Sequence, residues 1–462
     1  MAKFTAGAKT LERGYAGQRG LRGPGALWHK GLAGRREAWA PAARGDHPMA
    51  RLPVRLRGLA TIAVAGLALA CSSIPGAVAQ LPAFDAWLEG VKRDAAAAGI
   101  SETTIETALA GIAPIERVLE LDREQPEFTR TFWAYLDRAV SAQRIERGRR
   151  MLAKHRALLE RVRGKYNVQP RYLVAFWGLE SDFGRYTGGY SVIGALATLA
   201  YDERRGAFFR AQLIDALRIL DQRHIAPTNM QGSWAGAMGQ LQFMPSTFAS
   251  YAVDFDGDGR RDIWTDLPDV FASAAHYLSS IGWRGDEIWG REVRLPAGFD
   301  WELARLKIRK PIVEWRRLGV RRADGSELPR ADISGAIVLP AGHKGPAFLI
   351  YGNFDKIMNW NRSLLYAIAI GHLSDRLAGR SPLLAARPAQ EKPLSRAQVE
   401  EMQSLLADLG FDPGEPDGVV GSKTRGALRA FQRQAKLAPD GYPTPELLAG
   451  LRQVATARSK TN

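Results

Sequence analysis

The stretch that most constrains the fold of this chain is residues 170–184, PRYLVAFWGLESDFG. Glu180 follows three apolar residues at the helical spacing i, i+3, i+4, i+7: Leu173, Phe176 and Trp177. Proline suits the first turn of the predicted helix, and Gly184 suits its end. A carboxylate on such a stripe is costly to bury unless it is paired or protonated. The stretch alone leaves two interpretations open: a general acid with a raised pKa, as glycosidic bond cleavage requires, or a glutamate satisfied by a neighbouring arginine.

The chain is long enough for two or three domains, and its charge is unevenly distributed. Of its 462 residues, 46% are hydrophobic and 24% are charged, which is ordinary for a globular protein. The formal charge is +16, but residues 1–79 hold 12 Lys and Arg against 3 Asp and Glu, so the remainder carries only +7. This charge gives little support to nucleic-acid binding and suits an anionic polymer or an envelope surface.

The N-terminal region predicts export. Three arginines within residues 51–57 precede the apolar run LATIAVAGLALAC, residues 59–71, and an A-x-A site follows at residues 77–79. This order is typical of a secretory signal peptide cleaved after Ala79, and the run is too short to span a bilayer comfortably. We therefore expect a periplasmic protein whose mature chain lacks the single cysteine, Cys71, and with it any disulfide.

Two further points concern this region. Residues 68–71, Ala-Leu-Ala-Cys, loosely resemble a lipoprotein box, so lipid attachment at Cys71 and an outer-membrane location are the alternative. Membrane contact is expected only in that case. Met49 is a candidate start, and the Gly-, Ala- and Arg-rich residues 1–48 are then expected to be disordered.

After residue 79 the hydrophobic pattern predicts a mainly α protein. Helical periodicity covers four segments before residue 282 and one after residue 359: 84–166, 191–201, 206–223, 268–281 and 360–377. Short β-branched or aromatic runs predict a small inserted sheet: 293–295, 312–315, 335–339 and 348–351. Within the first segment, the basic residues 141–165 are interpreted as a solvated helix face, with a groove wall facing an acidic polymer as the alternative.

The C-terminal part of the chain predicts a separate small domain. Residues 379–393 contain three prolines among polar residues and are interpreted as a linker. Residues 394–453 predict a compact unit of three helices, followed by a tail at 454–462. The expected domains are therefore an extension with a signal peptide at 1–79, a main domain at 80–378, the linker and the small domain.

An aspartate-rich loop, DFDGDGRRD at residues 254–262, is the sharpest local motif. Oxygen ligands of a calcium-binding loop fall at positions 1, 3, 5 and 7: Asp254, Asp256, Asp258 and the carbonyl of Arg260. Thr265 stands where the glutamate of position 12 is expected, so Asp266 or Asp269 must supply the last ligand if metal is bound. An Asp-Gly turn without metal is the alternative.

A glycine-rich loop at residues 231–245 carries neutral hydrogen-bonding groups. Its glycines allow close backbone approach, while Ser233, Gln240 and Gln242 offer a hydroxyl and two amides. Such groups, beside Trp234, suit a sugar with amide substituents. A tightly packed loop without a ligand is the alternative.

Four motifs occur in an order that marks a known family: GLESDFG at 178–184, AGAMGQLQFMPSTF at 235–248, the DxDGDG loop and WNRSLLYAIAI at 360–370. Over residues 82–377 the chain resembles the lytic murein transglycosylase B family. The resemblance implies a lysozyme-like helical catalytic domain with a small β insertion and an EF-hand-like calcium loop. The three-helix C-terminal unit resembles the peptidoglycan-binding domain type 1.

The resemblance also implies roles for single residues. The catalytic acid and base of the family falls on Glu180. Its substrate-binding residues fall on five positions: Ser233, Gln242, Tyr277, Trp360 and Tyr366. Trp360 replaces a family tyrosine and lacks its hydroxyl, although an indole can still stack on a sugar. In the metal loop the alignment favours Asp269 over Asp266 as the distal ligand of a structural Ca²⁺.

The implied activity is non-hydrolytic cleavage of peptidoglycan. Ordinary glycosidases use two carboxylates, whereas no second one is obvious here, since Asp182 is predicted to face away from Glu180. The resemblance implies that Glu180 acts as acid and then as base, cleaving the MurNAc–GlcNAc β-1,4 bond and leaving 1,6-anhydro-MurNAc ends. We expect a monomer that binds glycan strands, with neither an organic cofactor nor a nucleic-acid partner. A hydrolytic muramidase of the same fold and a non-catalytic wall-binding protein are the alternatives.

Overall fold

Helices form most of the computed structural model, which describes residues 83–124, 131–202, 204–389 and 392–459. The signal segment, Cys71 and Met49 lie outside the described residues. The helices are α1 (Phe84–Ala97), α2 (Glu102–Leu109), α3 (Glu116–Glu124), α4 (Phe132–Ala139), α5 (Ala142–Lys154), α6 (Arg156–Tyr166), α7 (Pro170–Ser181), α8 (Val192–Tyr201), α9 (Gly206–Asp221), α10 (Pro245–Tyr251), α11 (Leu267–Ser280), α12 (Ile312–Arg317), α13 (Gly352–Trp360), α14 (Leu364–Leu377), α15 (Arg396–Asp408), α16 (Ser422–Gln434) and α17 (Pro445–Ser459).

Strands are few and short. They are β1 (Tyr190–Ser191), β2 (Gln231–Gly232), β3 (Gly290–Arg294), β4 (Lys310–Pro311), β5 (Arg321–Arg322), β6 (Ser334–Val338) and β7 (Ala347–Ile350). β1 and β2 form a two-stranded ribbon, and the other five form an antiparallel sheet in the order β4-β6-β7-β3-β5. The expected mainly α fold with a small inserted sheet is confirmed.

Helix α7 lies at the centre of the helical domain, which we define as residues 83–289 and 352–377. Pro170 occupies its first turn, and every residue from Tyr172 to Ser181 is buried. Helices α5, α6, α11 and α14 pack around it. A helix that is buried all round is apolar on every face, so the stripe seen in the sequence is one part of a fully enclosed element.

The inserted domain, residues 290–350, packs its sheet between two hydrophobic clusters. Ala336 and Val338 of β6 contact the core of the helical domain, whereas Ile337 between them faces a second core that contains Trp315. Alternation of this kind follows from the pleat of a strand, which sends successive side chains to opposite faces. The sheet therefore joins the insertion rigidly to the helical domain.

One segment expected in the sheet is helical. Residues 312–315 were predicted as a strand from their β-branched and aromatic content, but they begin α12, and the adjacent strand is only Lys310–Pro311. The helix buries Ile312 and Trp315 together, and the Trp315 indole donates to the carbonyl of Gly335 at 2.9 Å. Tertiary packing of the tryptophan outweighs the local β propensity.

The C-terminal domain, residues 394–459, is a three-helix unit with its own hydrophobic core. Helix α15 starts with a capping box formed by Ser395 and Gln398. The preceding residues 379–389 contact both other domains: Arg387 pairs twice with Asp137 of the helical domain at 2.8 Å, and Glu292 of the inserted domain accepts two backbone N–H groups of this segment. The described part of the expected linker is therefore bound to the surface of the preceding domains.

Among the described residues, no helix combines the length and the apolar character needed to cross a bilayer.

Candidate active site and metal loop

Glu180 lies near the C-terminal end of α7 and is 3% exposed. Two neutral donors reach the same carboxylate oxygen, Oε1. The Trp360 indole N–H donates to it at 2.9 Å, and the Tyr366 hydroxyl also donates to it. No hydrogen bond from the described residues reaches Oε2. The two oxygens of the carboxylate therefore have different surroundings.

Burial dominates the protonation of this carboxyl. It raises the pKa of Glu180 to about 8, although the hydrogen bonds from Tyr366 and Trp360 lower the pKa. Glu180 is consequently protonated at neutral pH. Of the two interpretations left open by the sequence, the structure supports the buried acid, since both hydrogen-bond partners of the carboxylate, Trp360 and Tyr366, are uncharged donors and neither is an arginine.

Aromatic rings surround the site. The Trp360 ring lies against Phe176 of α7, with centroids 4.4 Å apart, and it meets the ring of Tyr277 edge-on at 5.0 Å. Phe243 of the glycine-rich loop contacts the same indole at 5.3 Å. Three rings thus hold Trp360 in place while its N–H points to the carboxylate. Phe176 covers one face of the indole, so a sugar could stack only on the other face.

The glycine-rich loop packs beside the end of α7. Ser233 is buried, and its hydroxyl accepts the backbone N–H of Ala237 at 3.0 Å. Gln242 adopts a left-handed backbone conformation, and its amide donates to the carbonyls of Thr187 and Gly239. A Cβ at Gly188 would collide with the backbone at Gly232, so this close approach requires glycine.

Gln240 has a structural role in this arrangement. Its side-chain oxygen accepts the indole N–H of Trp177 at 2.7 Å, and its amide nitrogen donates to the carbonyl of Trp264. It thereby ties the centre of α7 to the loop. The structure thus brings together Glu180, Trp360, Tyr366 and Tyr277, with Ser233 and Gln242 in the adjoining loop.

Asp182, the carboxylate next to Glu180 along the chain, is held by arginines. It caps α7 in a left-handed conformation, and its Oδ2 pairs with Arg147 at 2.7 Å and with Arg185 at 3.4 Å. Arg144 of α5 also approaches it at 3.6 Å. The contacts of Arg144 and Arg147 come from the basic segment 141–165, so part of that segment holds the end of α7 rather than facing solvent.

The aspartate loop gathers three carboxylates. Ligand atoms of Asp254, Asp256 and Asp269 lie within 4.8 Å of one another. Asp269 is buried at the start of α11, where burial and the neighbouring aspartates raise its pKa to about 6. Oxygen donors in this number fit a hard cation, which would offset their mutual repulsion.

Two other aspartates of the loop are differently engaged. Asp258 pairs with the guanidinium of Arg260 at 2.9 Å and lies outside the three-carboxylate group. Asp266 caps α11 by accepting the backbone N–H of Asp269. The geometry thus places Asp269, and not Asp266, beside Asp254.

The indole N–H of Trp360 is the contact that sequence reasoning missed. The sequence indicates only that Trp360 lacks the hydroxyl of a family tyrosine and can stack on a sugar, whereas in the structure the indole donates to Glu180. A signal was available, because a buried tryptophan N–H normally finds an acceptor. Likewise, the sequence did not predict that Asp182 pairs with arginines of α5; the arginine content of residues 141–165 was the only indication.

Comparison with known proteins matches both parts of the chain. Residues 83–375 match the family described as transglycosylase SLT domain, and residues 395–451 match a peptidoglycan binding domain family. Membrane-bound lytic murein transglycosylase B of Escherichia coli is 30% identical over 250 residues, which span 53% of this chain and 66% of that relative.

Solved structures give the same result. SltB3 from Pseudomonas aeruginosa in complex with NAG-anhNAM-pentapeptide is 47% identical, with a TM-score of 0.78 over 80% of this chain and 99% of that chain. The Escherichia coli lytic transglycosylase Slt35 in complex with calcium is 26% identical, with a TM-score of 0.55 over 66% of this chain and 95% of that chain. The chain therefore belongs to the transglycosylase SLT domain family, as its resemblance to the lytic murein transglycosylase B family predicted, and carries a C-terminal peptidoglycan binding domain.

Proposed function

We propose that this protein is a lytic murein transglycosylase that cleaves the MurNAc–GlcNAc β-1,4 bond and leaves 1,6-anhydro-MurNAc ends. The observation that carries the proposal is the buried Glu180, whose pKa is raised to about 8 and whose hydrogen-bond partners, Trp360 and Tyr366, are neutral. The relatives named as lytic transglycosylases support it. SltB3 from Pseudomonas aeruginosa is bound to NAG-anhNAM-pentapeptide and to NAG-NAM-pentapeptide, which supports glycan strands as the substrate and partner proposed here.

Glu180 acts first as an acid. Because an indole N–H can only donate, Oε1 remains an acceptor, and the proton of the neutral carboxyl lies on Oε2. From there it passes to the oxygen that links the two sugars, and the C–O bond to MurNAc C1 breaks. The acetamido group of the substrate stabilises the cationic centre that forms.

The same residue then acts as a base. The Glu180 carboxylate takes the proton of the C6 hydroxyl, and the C6 oxygen closes onto C1, so that no water is consumed and the carboxyl is again protonated. The Trp360 and Tyr366 donors hold Oε1 in both steps. A second carboxylate has no task in this cycle, which agrees with the engagement of Asp182 by arginines.

Three other residues are proposed to bind the substrate around the cleaved bond. Ser233 and Gln242 offer a hydroxyl and an amide in the loop beside α7, and Tyr277 offers a phenol next to Trp360. Trp360 and Tyr366, which were also expected to contact the sugar, are proposed to act mainly on the carboxyl of Glu180.

Glu180→Gln tests the catalytic assignment. Glutamine keeps the acceptor for Trp360 and Tyr366 but has no acidic proton, so clearing of purified murein should fall at least about 10³-fold, within the range for loss of an acid–base group. Glu314→Gln, an exposed site in the inserted domain, is the matched control and should clear murein at the wild-type rate. Murein clearing by Glu180→Gln at the wild-type rate would reject the assignment.

The metal loop is proposed to hold a structural Ca²⁺. Asp254, Asp256 and Asp269 supply the carboxylates that already lie together, with Asp258 and the carbonyl of Arg260 at the remaining loop positions. The calcium complex of Slt35 supports this choice of ion. The ion would draw the loop onto α11 and take no part in the proton transfers.

We also propose that the protein works in the periplasm, reached through the signal segment before residue 80, which lies outside the described residues. The substrate of the named relatives is a cell-wall polymer, which supports this location. Lipid attachment at Cys71 remains the alternative form, and intact mass of the mature protein distinguishes the two.

A further inference from the structure

Three arginines follow one face of helix α16 at positions i, i+4 and i+8: Arg425, Arg429 and Arg433. Like charges at this spacing repel one another and disfavour the helix. The face lies against the inserted domain, where Glu302 pairs with Arg433 at 2.9 Å and with Arg305 of its own domain. A cationic stripe thus lines the boundary between the inserted and C-terminal domains.

The second carboxylate near this stripe, Asp440, is fully engaged. Its Oδ2 accepts the backbone N–H of His343 at 2.9 Å and contacts the imidazole Nδ1 of the same residue at 2.6 Å. Its Oδ1 accepts N–H groups from Gln432 and Tyr442 at 2.8 Å. Asp440 therefore latches the two domains together and has no oxygen left for the arginines.

Arg425 and Arg429 remain without a carboxylate. Within the described residues neither forms an ion pair, and the buried Nε of Arg429 has no hydrogen-bond partner; the same is true of the Nε of Arg305. Burial and the charges of Arg305 and Arg425 lower the pKa of Arg429 to about 10. Both residues are partly exposed, although burial lowers the pKa of Arg425 as well, so the two guanidinium groups are largely enclosed at the domain boundary.

We propose that Arg425 and Arg429, with Arg305 across the domain boundary, bind a carboxylate of a peptidoglycan stem peptide. A guanidinium presents paired N–H groups that match a carboxylate, and an anion placed between two arginines removes their repulsion. Sugar hydroxyls are neutral and have no need of such a site. The proposal rests on the proposed function, because it assigns the peptide part of the same polymer to a site of its own.

Titration calorimetry on the full chain carrying Glu180→Gln tests the site without turnover. The probes are NAG-NAM-pentapeptide and a peptide-free NAG-NAM disaccharide whose lactyl carboxyl is capped as a methylamide, so that it bears no carboxylate. Adding Arg425→Gln and Arg429→Gln should weaken binding of the peptide-bearing probe at least about tenfold, the usual scale for loss of one charge-assisted contact, and leave the disaccharide unchanged. The matched control, Arg396→Gln with Arg452→Gln, removes two arginines that are paired with Glu400 and Glu401 in the same domain and should change neither Kd.

Two results would overturn the proposal: an unchanged Kd for the peptide-bearing probe, or an equal loss with both probes. The melting temperature should stay within about 2 °C, since glutamine removes the repulsion. If the glutamine variant does not fold, Arg425→Lys with Arg429→Lys keeps the charges and loses the paired donors, and wild-type affinity in that variant rejects the site. Failure of the proposed function would show separately, as absence of product when the wild-type protein is given peptide-free glycan.

Discussion

At the scale of the residue, the chemistry depends on the balance of forces at one carboxyl. Burial of Glu180 opposes ionisation, while two neutral donors on Oε1 favour it, and the outcome is a pKa of about 8. Sequence could predict the burial, because an apolar stripe surrounds the glutamate. The donors lie 180 and 186 residues away along the chain, so their contact arises only from the packing of α13 and α14 against α7.

The pH dependence of activity follows from this balance. The acid step needs protonated Glu180, so kcat/KM should decline as pH rises through about 8. Trp360→Phe keeps the ring but removes a donor that favours the charged form, which raises the pKa of Glu180 and moves the decline to higher pH. The measurement is the pH profile of kcat/KM on soluble glycan strands.

Trp360→Tyr is the matched control for that profile. It supplies a hydroxyl, the group found at this position in the resembled family. The pH at which kcat/KM declines should therefore lie closer to the wild-type value in Trp360→Tyr than in Trp360→Phe. If Trp360→Phe had the same alkaline limb as the wild-type protein, the indole would not set the pKa of Glu180.

At the scale of the element, the aspartate loop shows what spacing does and does not predict. The sequence identified the loop and preferred Asp269, which lies in the carboxylate group beside Asp254. It also predicts Asp258 as a ligand, and this exposed side chain pairs with Arg260 and would exchange that partner for the ion. Spacing predicts which residues share a turn, whereas the direction of an exposed side chain depends on its neighbours.

Removal of calcium should loosen this element. Chelation leaves three close carboxylates unscreened, and we expect the melting temperature of the helical domain to fall by at least about 3 °C, the effect of roughly 1 kcal/mol on a domain of this size. In calcium buffer, Asp269→Asn should lower the melting temperature of the helical domain. Asp324→Asn, at an exposed turn of the inserted domain, should leave that temperature unchanged. Calorimetry checks both variants; an unaltered melting temperature on chelation, with no calcium in elemental analysis, would remove the metal proposal.

Element boundaries were predicted well where one local signal dominates. Pro170 and the buried stripe defined α7, and the runs at 335–339 and 348–351 correspond to β6 and β7. The helix expected at 360–377 is instead split, since α13 ends at Trp360 and α14 begins at Leu364. Residues 361–363 separate the two helices, and Ser363 caps the start of α14. Because of this break, Trp360 and Tyr366 reach Glu180 from separate helices.

At the scale of the whole molecule, the prolines of residues 379–393 predict a linker, and its described part is anchored to other parts of the chain. Arg387 also lies over the ring of Trp133, 4.6 Å from its centroid, in addition to its pairing with Asp137. Together with the latch between His343 and Asp440, these contacts hold the C-terminal domain against the rest of the chain. Local composition could not predict this, because His343 and Asp440 are separated by 97 residues and Asp137 and Arg387 by 250 residues.

The described part of the protein is thus a transglycosylase SLT domain with a peptidoglycan binding domain packed on the inserted domain. The central prediction for this protein is that cleavage consumes no water. Mass spectrometry of murein digested by the purified protein tests it most directly. A single acid that becomes the base predicts MurNAc ends one water lighter than hydrolysed ends, in every fragment released. Fragments with reducing MurNAc ends would contradict the account and identify a hydrolytic muramidase on the same fold.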